Sequence, residues 1–171
     1  MQRWKRTLRA AVMVTGTMAA GAVLMVVPTA EGAEPAKASP AEEHCVVRVI
    51  DQAADGELRT TKPVCSATRD TALRRAGGQL DVQTADWAIG IHFDGPAYTG
   101  SSFTVVGADC TGGWLNLNAA WINRVSSTMH GCPRIRHFDG YNLATPSETT
   151  LYPGANLLSN NNKTNSIQYL P

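Results

Sequence analysis

The sequence predicts an all-β domain of two Greek-key motifs behind a small N-terminal strand-strand-helix extension. From Asp86 onward it runs in short alternating stretches, WAIGIHF, SSFTVV, ETTLY and NSIQYL, separated by Gly, Asn and Pro, which is the pattern of short strands and tight turns. No 12-residue helical period interrupts them. The tetrapeptide HFDG occurs at 92–95 and again at 137–140, and Asn123 and Ser127 reappear 39 positions on as Asn162 and Ser166. Each unit, about 86–130 and 133–171, has room for four strands, the content of one Greek key.

The elements before Asp86 follow in order. Residues 1–33 read as a secretory signal peptide: Arg3, Lys5, Arg6 and Arg9 precede an apolar run from Ala11 to Val27, then Pro28 and small residues. That run sits at the lower length limit of a membrane span, so a retained anchor is the alternative, and cleavage is expected between Ala30 and Ala33. Residues 34–43, EPAKASPAEE, have the composition of a disordered spacer. Over 44–80, HCVVRVI reads as a strand, DQAADG as a turn, ELRTTKPVC as a second strand and SATRDTALRRAGG as a helix. Ser66 or Thr68 would cap that helix, and Gly77 with Gly78 would end it. Arg69, Arg74 and Arg75 are expected on its solvated face rather than at a partner.

Loss of the leader removes four of the 15 basic residues and one of the 14 acidic ones, leaving a net charge near −2. That balance argues against nucleic acid and anionic membranes as partners. The four cysteines, Cys45, Cys65, Cys110 and Cys132, all follow the leader, and an even number in an exported chain favours disulfides. Of three possible pairings, Cys45 with Cys65 and Cys110 with Cys132 is preferred. Each pair lies within one compositional region and closes a loop of about 20 residues, worth about 3 kcal/mol on chain-entropy grounds. No C-x-x-C spacing supports zinc.

His92 and His137 with Asp94 and Asp139 could be paired His-x-Asp ligands or proton-transfer groups. Duplication of a structural unit explains their 45-residue spacing without shared chemistry, and Asp-Gly supplies the turns. His44 and His130 are expected at the surface beside the cysteines. No nucleophile elbow, zinc-helix, phosphate-loop or dinucleotide signature is present, and the expectation is a protein that is not an enzyme.

The segment 86–171 resembles the βγ-crystallin family. The resemblance rests on an aromatic residue followed by a folded hairpin and a Gly seven positions on, Phe93 to Gly100 in FDGPAYTG, with late serines at Ser126, Ser127 and Ser166. It implies a sandwich of two Greek keys. In the second unit Thr145 stands where the Gly is expected, so the second hairpin should be looser. The loops INRVSS (122–127) and NNKTNS (161–166) resemble the calcium-binding stretch of microbial βγ-crystallins, which implies calcium ligands at Asn123, Ser126, Ser127, Asn161, Asn162, Asn165 and Ser166. Ile122 and Asn165 depart from that pattern, and neither loop has a carboxylate. Any affinity should therefore fall in the range of about 10⁻⁴ to 10⁻³ M. The alternative is that these side chains satisfy turn backbone groups. Secreted bacterial proteins of this family include metallopeptidase inhibitors, calcium-binding stress proteins and killer-toxin-like antimicrobials. Inhibition of a secreted peptidase by a monomer is the first expectation, with no reactive bond assigned, and weak calcium binding the second. A toxin would suit a cationic chain better.

Overall fold

A computed structural model describes residues 41–77 and 86–171. The signal peptide expected at 1–33 and most of the spacer lie outside the described residues, as does Gly78. Three short strands come first, β1 (His44–Gln52), β2 (Leu58–Thr60) and β3 (Val64–Ser66), followed by helix α1 (Arg69–Gly77). The first repeat unit contributes β4 (Trp87–Phe93), β5 (Ser102–Gly107), β6 (Trp114–Asn116) and β7 (Ser127–His130). The second contributes β8 (Arg134–Phe138), β9 (Ser147–Leu151), β10 (Gly154–Asn156) and β11 (Ser166–Leu170).

These strands form two sheets. Sheet 1 runs β10-β7-β4-β5-β1-β2, with β3 also paired to β1, and sheet 2 runs β6-β11-β8-β9. Each unit keeps three strands in its own sheet and sends its third, β6 or β10, to the other. Alternation along the strands turns Ile89, Phe103 and Val105 from sheet 1, and Leu115, Ile135, Ile167 and Tyr169 from sheet 2, into one buried cluster. Gly90 marks a close approach of the sheets: a Cβ there would lie 2.7 Å from Tyr169 Cε1 and 2.9 Å from Ile135 Cδ1.

The described residues of the N-terminal extension, 44–77, are built into this arrangement. Strand β1 lies parallel to β5, with Val46 opposite Thr104 and Val47 opposite Val105. Every residue of β5 is buried, so both of its edges need backbone partners. β4 supplies one and β1 the other. The ELRTTKPVC run forms two strands, because Pro63 has no N–H to donate between them, and both pair with β1. Thr68, not Ser66, caps α1: its hydroxyl accepts the Thr71 N–H at 3.3 Å. Ala72 and Ala76 pack on Val46 and Val106, while Arg74 and Arg75 face solvent and Arg69 is half-buried. The disulfides join Cys45 to Cys65 and Cys110 to Cys132, as preferred from the sequence. They indicate an oxidising compartment, and no described helix is long and apolar enough to cross a membrane.

The two folded hairpins follow Phe93 and Phe138 and have matching hydrogen bonds. Asp94 and Gly95 donate to the carbonyls of Ser101 and Thr99, while Asp139 and Gly140 donate to those of Pro146 and Ala144. Left-handed backbone recurs at Ala97 and Tyr98, then at Asn142 and Leu143. The second hairpin is therefore as closely bonded as the first, contrary to the sequence expectation. Gly100 has φ +79°, whereas Thr145 is outside the left-handed region and leads into Pro146.

A Cβ at Gly100 would also collide with the Asp94 carboxylate, which Arg124 holds at 2.6 Å. Gly100→Ala is expected to cost at least about 1–2 kcal/mol, and Thr145→Ala no more than about 0.5 kcal/mol. Urea denaturation of both variants reads this directly, and equal losses would contradict it.

Candidate functional site

The loops that precede β7 and β11 lie side by side. Asn123 and Asn162 occupy left-handed backbone at φ 57° and 54°, a conformation Asn tolerates better than most residues. Each donates its N–H into the other loop, Asn123 to Thr164 O and Asn162 to Val125 O, both at 2.9 Å. The two loops are thus related residue for residue by a pseudo-twofold.

This pairing gathers two oxygen clusters. In the first, Ser126 Oγ lies 2.9 Å from Asp94 O and 3.1 Å from Asn162 Oδ1, so a single hydroxyl proton faces two acceptors. In the second, Asn165 takes the place of Ser126 and Asp139 that of Asp94. Asn165 Nδ2 donates to Asp139 O, to Lys163 O at 3.0 Å and towards Asn123 Oδ1 at 3.2 Å. Three oxygens thus surround one amide nitrogen, and the amide's own Oδ1 takes that place if the group turns by half a revolution. The first cluster has a cation beside it already: Arg124 bonds Asp94 Oδ2 at 2.6 Å and lies over the Trp121 ring at 4.9 Å.

Four of the seven expected ligands, Asn123, Ser126, Asn162 and Asn165, meet in these clusters. Ser127 and Ser166 are fully buried and engaged in the hairpins instead. Ser127 Oγ donates to Gly95 O at 2.7 Å and accepts the Tyr98 N–H at 3.0 Å. Ser166 Oγ repeats this with Gly140 O and the Leu143 N–H at 2.7 and 3.1 Å. Asn161 is exposed, away from these bonds, and Ile122 packs against the core. The carbonyls of Asp94 and Asp139 went unnoticed in the sequence, although the HFDG repeat had placed them at equivalent positions.

The HFDG histidines have a different role. His92 and His137 are wholly buried, their ring centroids 5.5 Å apart and edge-on. Tyr169 OH is 3.0 Å from His92 Nε2, and His92 Nδ1 is 3.1 Å from Thr128 Oγ1, which reaches Ile91 O at 3.2 Å. A neutral imidazole that accepts from Tyr169 and donates to Thr128 satisfies this chain. His130 is also buried, with Nε2 2.8 Å from Thr150 Oγ1, which corrects its expected surface position. His44 is half-buried, and its Nδ1 lies 2.8 Å from Ser102 Oγ. Burial lowers all three buried histidines, His92 well below the usual imidazole value, His130 to about 4 and His137 to about 3. Repulsion between the rings adds to the effect on His92 and His137. Burial likewise raises the Tyr169 phenol, which keeps it a donor. The imidazoles do not converge as ligands. Among the described residues, the only set of three close metal-type donors is Glu43, Cys45 and Cys65, whose two sulfurs are bonded to each other.

Comparison of the chain with family models, with curated proteins and with solved structures finds no match.

Because the three histidines titrate lower in the folded state, the unfolded chain binds protons first as the pH falls through about 6.5. Their contribution is complete above that pH and is lost towards the folded values. By pH 5.5 the three histidines together should have cost the fold a few kcal/mol, on the order of 3 kcal/mol. Urea titrations at pH 7.5 and 5.5 test this, with a smaller loss expected in His130→Gln. Unchanged stability between the two pH values would show that these rings do not remain neutral.

Proposed function

We propose that this chain is a secreted, non-enzymatic protein of the βγ-crystallin type whose paired loops bind calcium weakly. Two facts support the fold reading of two interlocked Greek keys: each unit places its third strand in the sheet of the other unit, and each late serine locks a folded hairpin. The disulfides suit export.

The observation that carries calcium is the convergence of Ser126 Oγ, Asp94 O and Asn162 Oδ1, matched by Asn165, Asp139 O, Lys163 O and Asn123 Oδ1. Calcium takes six to eight oxygens at about 2.3–2.6 Å, including carbonyls, amides and waters. These clusters supply part of such a shell, and water would complete it. Their neutral oxygens limit affinity, and Arg124 opposes a second cation at the first cluster.

Calcium at tenfold its Kd should stabilise the fold by about 1.4 kcal/mol, and magnesium should do much less because it demands a tighter octahedron. Ser126→Ala should weaken binding, and Arg124→Gln should tighten it by about threefold or more. Isothermal titration calorimetry and calcium-dependent melting decide the question. A substitution at Ile122 would report on core packing instead. Absence of heat and of any melting shift in all forms would leave the clusters as loop structure.

Peptidase inhibition is the second reading, supported by the corner between β9 and β10. Leu151 and Tyr152 are 61% and 67% exposed there. The Tyr152 N–H is held at 3.0 Å by Pro133 O, next to the Cys110–Cys132 bridge. A braced, projecting apolar tip suits insertion into a cleft. Inhibition of a metallopeptidase, and its loss by tenfold or more in Tyr152→Ala, is expected in a panel of metallo-, serine and cysteine peptidases. Unchanged inhibition by Tyr152→Ala would exclude this tip.

A further inference from the structure

Where β1 and β5 end and β4 begins, sheet 1 opens on a cavity of about 540 Å³, within the size range of small-ligand sites. Two register irregularities lie at its walls, between Val49 and Asp51 where β1 pairs with β2 and between Ala88 and Gly90 where β4 pairs with β5. Val49, Leu58 and Ile89 give the cavity an apolar lining around Gly107. A Cβ on Gly107 would lie 3.2 Å from Val49 Cγ2 and 3.3 Å from Ile89 Cδ1, so these side chains close tightly over its backbone. The wall is braced from behind. Ile89 O accepts the N–H groups of both Gly131 and Cys132 at 3.1 Å, and Cys132 is bonded to Cys110, the neighbour of Asp109.

The charged side chains that line this cavity among the described residues are all acidic. Asp51, Asp86 and Asp109 line it, and no Lys or Arg does so among the described residues. Arg48 offsets Asp86 at 2.7 Å, with both side chains largely buried. Among the described residues Asp109 has no such partner: its Oδ1 accepts the N–H and O–H of Thr111 at 3.1 and 2.7 Å. These bonds orient the carboxylate without neutralising it. Asp51 pairs with Arg59 at 3.4 Å, with both side chains more than half exposed, a weak pair that an incoming cation can replace.

We propose that this cavity binds an organic cation with an apolar body, an alkyl- or arylalkyl-ammonium or guanidinium group. The group could belong to a free amine or to a partner's Lys or Arg side chain. Its carbon framework rests on Val49, Leu58 and Ile89, and its charge meets the Asp51 and Asp109 carboxylates. Shape alone would admit any apolar ligand; the acidic lining, with Asp109 paired to no Lys or Arg among the described residues, selects the cation.

The test is amide NMR of the mature chain titrated with phenethylammonium, with the neutral isostere 2-phenylethanol, and with a blocked Ala-Leu-Lys-Ala peptide. Saturable shifts at the Gly107 and Asp109 amides are expected with the ammonium, and binding of the alcohol at least about fivefold weaker. Asp51→Asn and Asp109→Asn should each weaken the ammonium by about two- to fivefold and leave the alcohol unchanged. The Asn at 109 retains the acceptor for Thr111, so the loop is preserved. Tighter binding of the peptide than of the amine assigns the site to a partner's side chain, and the reverse order to a free amine. Either order supports the cation site. Equal affinity for alcohol and ammonium, or no saturation by amine or peptide up to about 10 mM, overturns it.

Discussion

The folded hairpin is held by one buried hydroxyl in each unit, and much of the molecule depends on that bond. Ser127 Oγ bridges Gly95 O and the Tyr98 N–H, and Ser166 Oγ does the same for Gly140 O and the Leu143 N–H. Two consecutive left-handed residues sit in each hairpin, a costly conformation for residues with a Cβ. The serine satisfies backbone groups that this conformation would otherwise leave unpaired. It also fixes the hairpin over the first strand of its unit, which brings the Asp94 and Asp139 carbonyls to the two loops. The oxygen clusters are thus a consequence of the hairpin lock.

The space between the sheets imposes a second constraint. Burying three imidazoles requires that they stay neutral. Tyr169, Thr128 and Thr150 provide hydroxyl partners, while His130 Nδ1 and His137 Nδ1 have none among the described residues. An apolar residue would fill the same volume without that cost. The polar network gives directional contacts from Tyr169 in sheet 2 to His92 in sheet 1, and from His130 in sheet 1 to Thr150 in sheet 2, so the two sheets have a preferred registry. The close approach at Gly90, beside Tyr169 and His92, belongs to the same registry.

Sequence alone determined the features that depend on local chemistry or simple periodicity. Short alternating runs specify strands, a 45-residue repeat specifies two equivalent units, and four cysteines in two regions specify two short crosslinks. The paired Asn and Ser loops were equally visible. Tertiary structure decided what depends on neighbours distant in the chain. Thr145 could not be known to preserve the hairpin, because Ser166, 21 positions on, bonds Leu143 N–H and Gly140 O to hold it. Ser126 and Ser127 are adjacent in sequence yet act differently: one faces the oxygen cluster and the other the hairpin, since successive residues at the start of a strand point to opposite sides. β1 became part of sheet 1 because buried β5 had an edge to pair. His130 is buried because Thr150, from the other sheet, meets it. Composition reports which groups can bond, but only the packed sheets determine which partners come within reach.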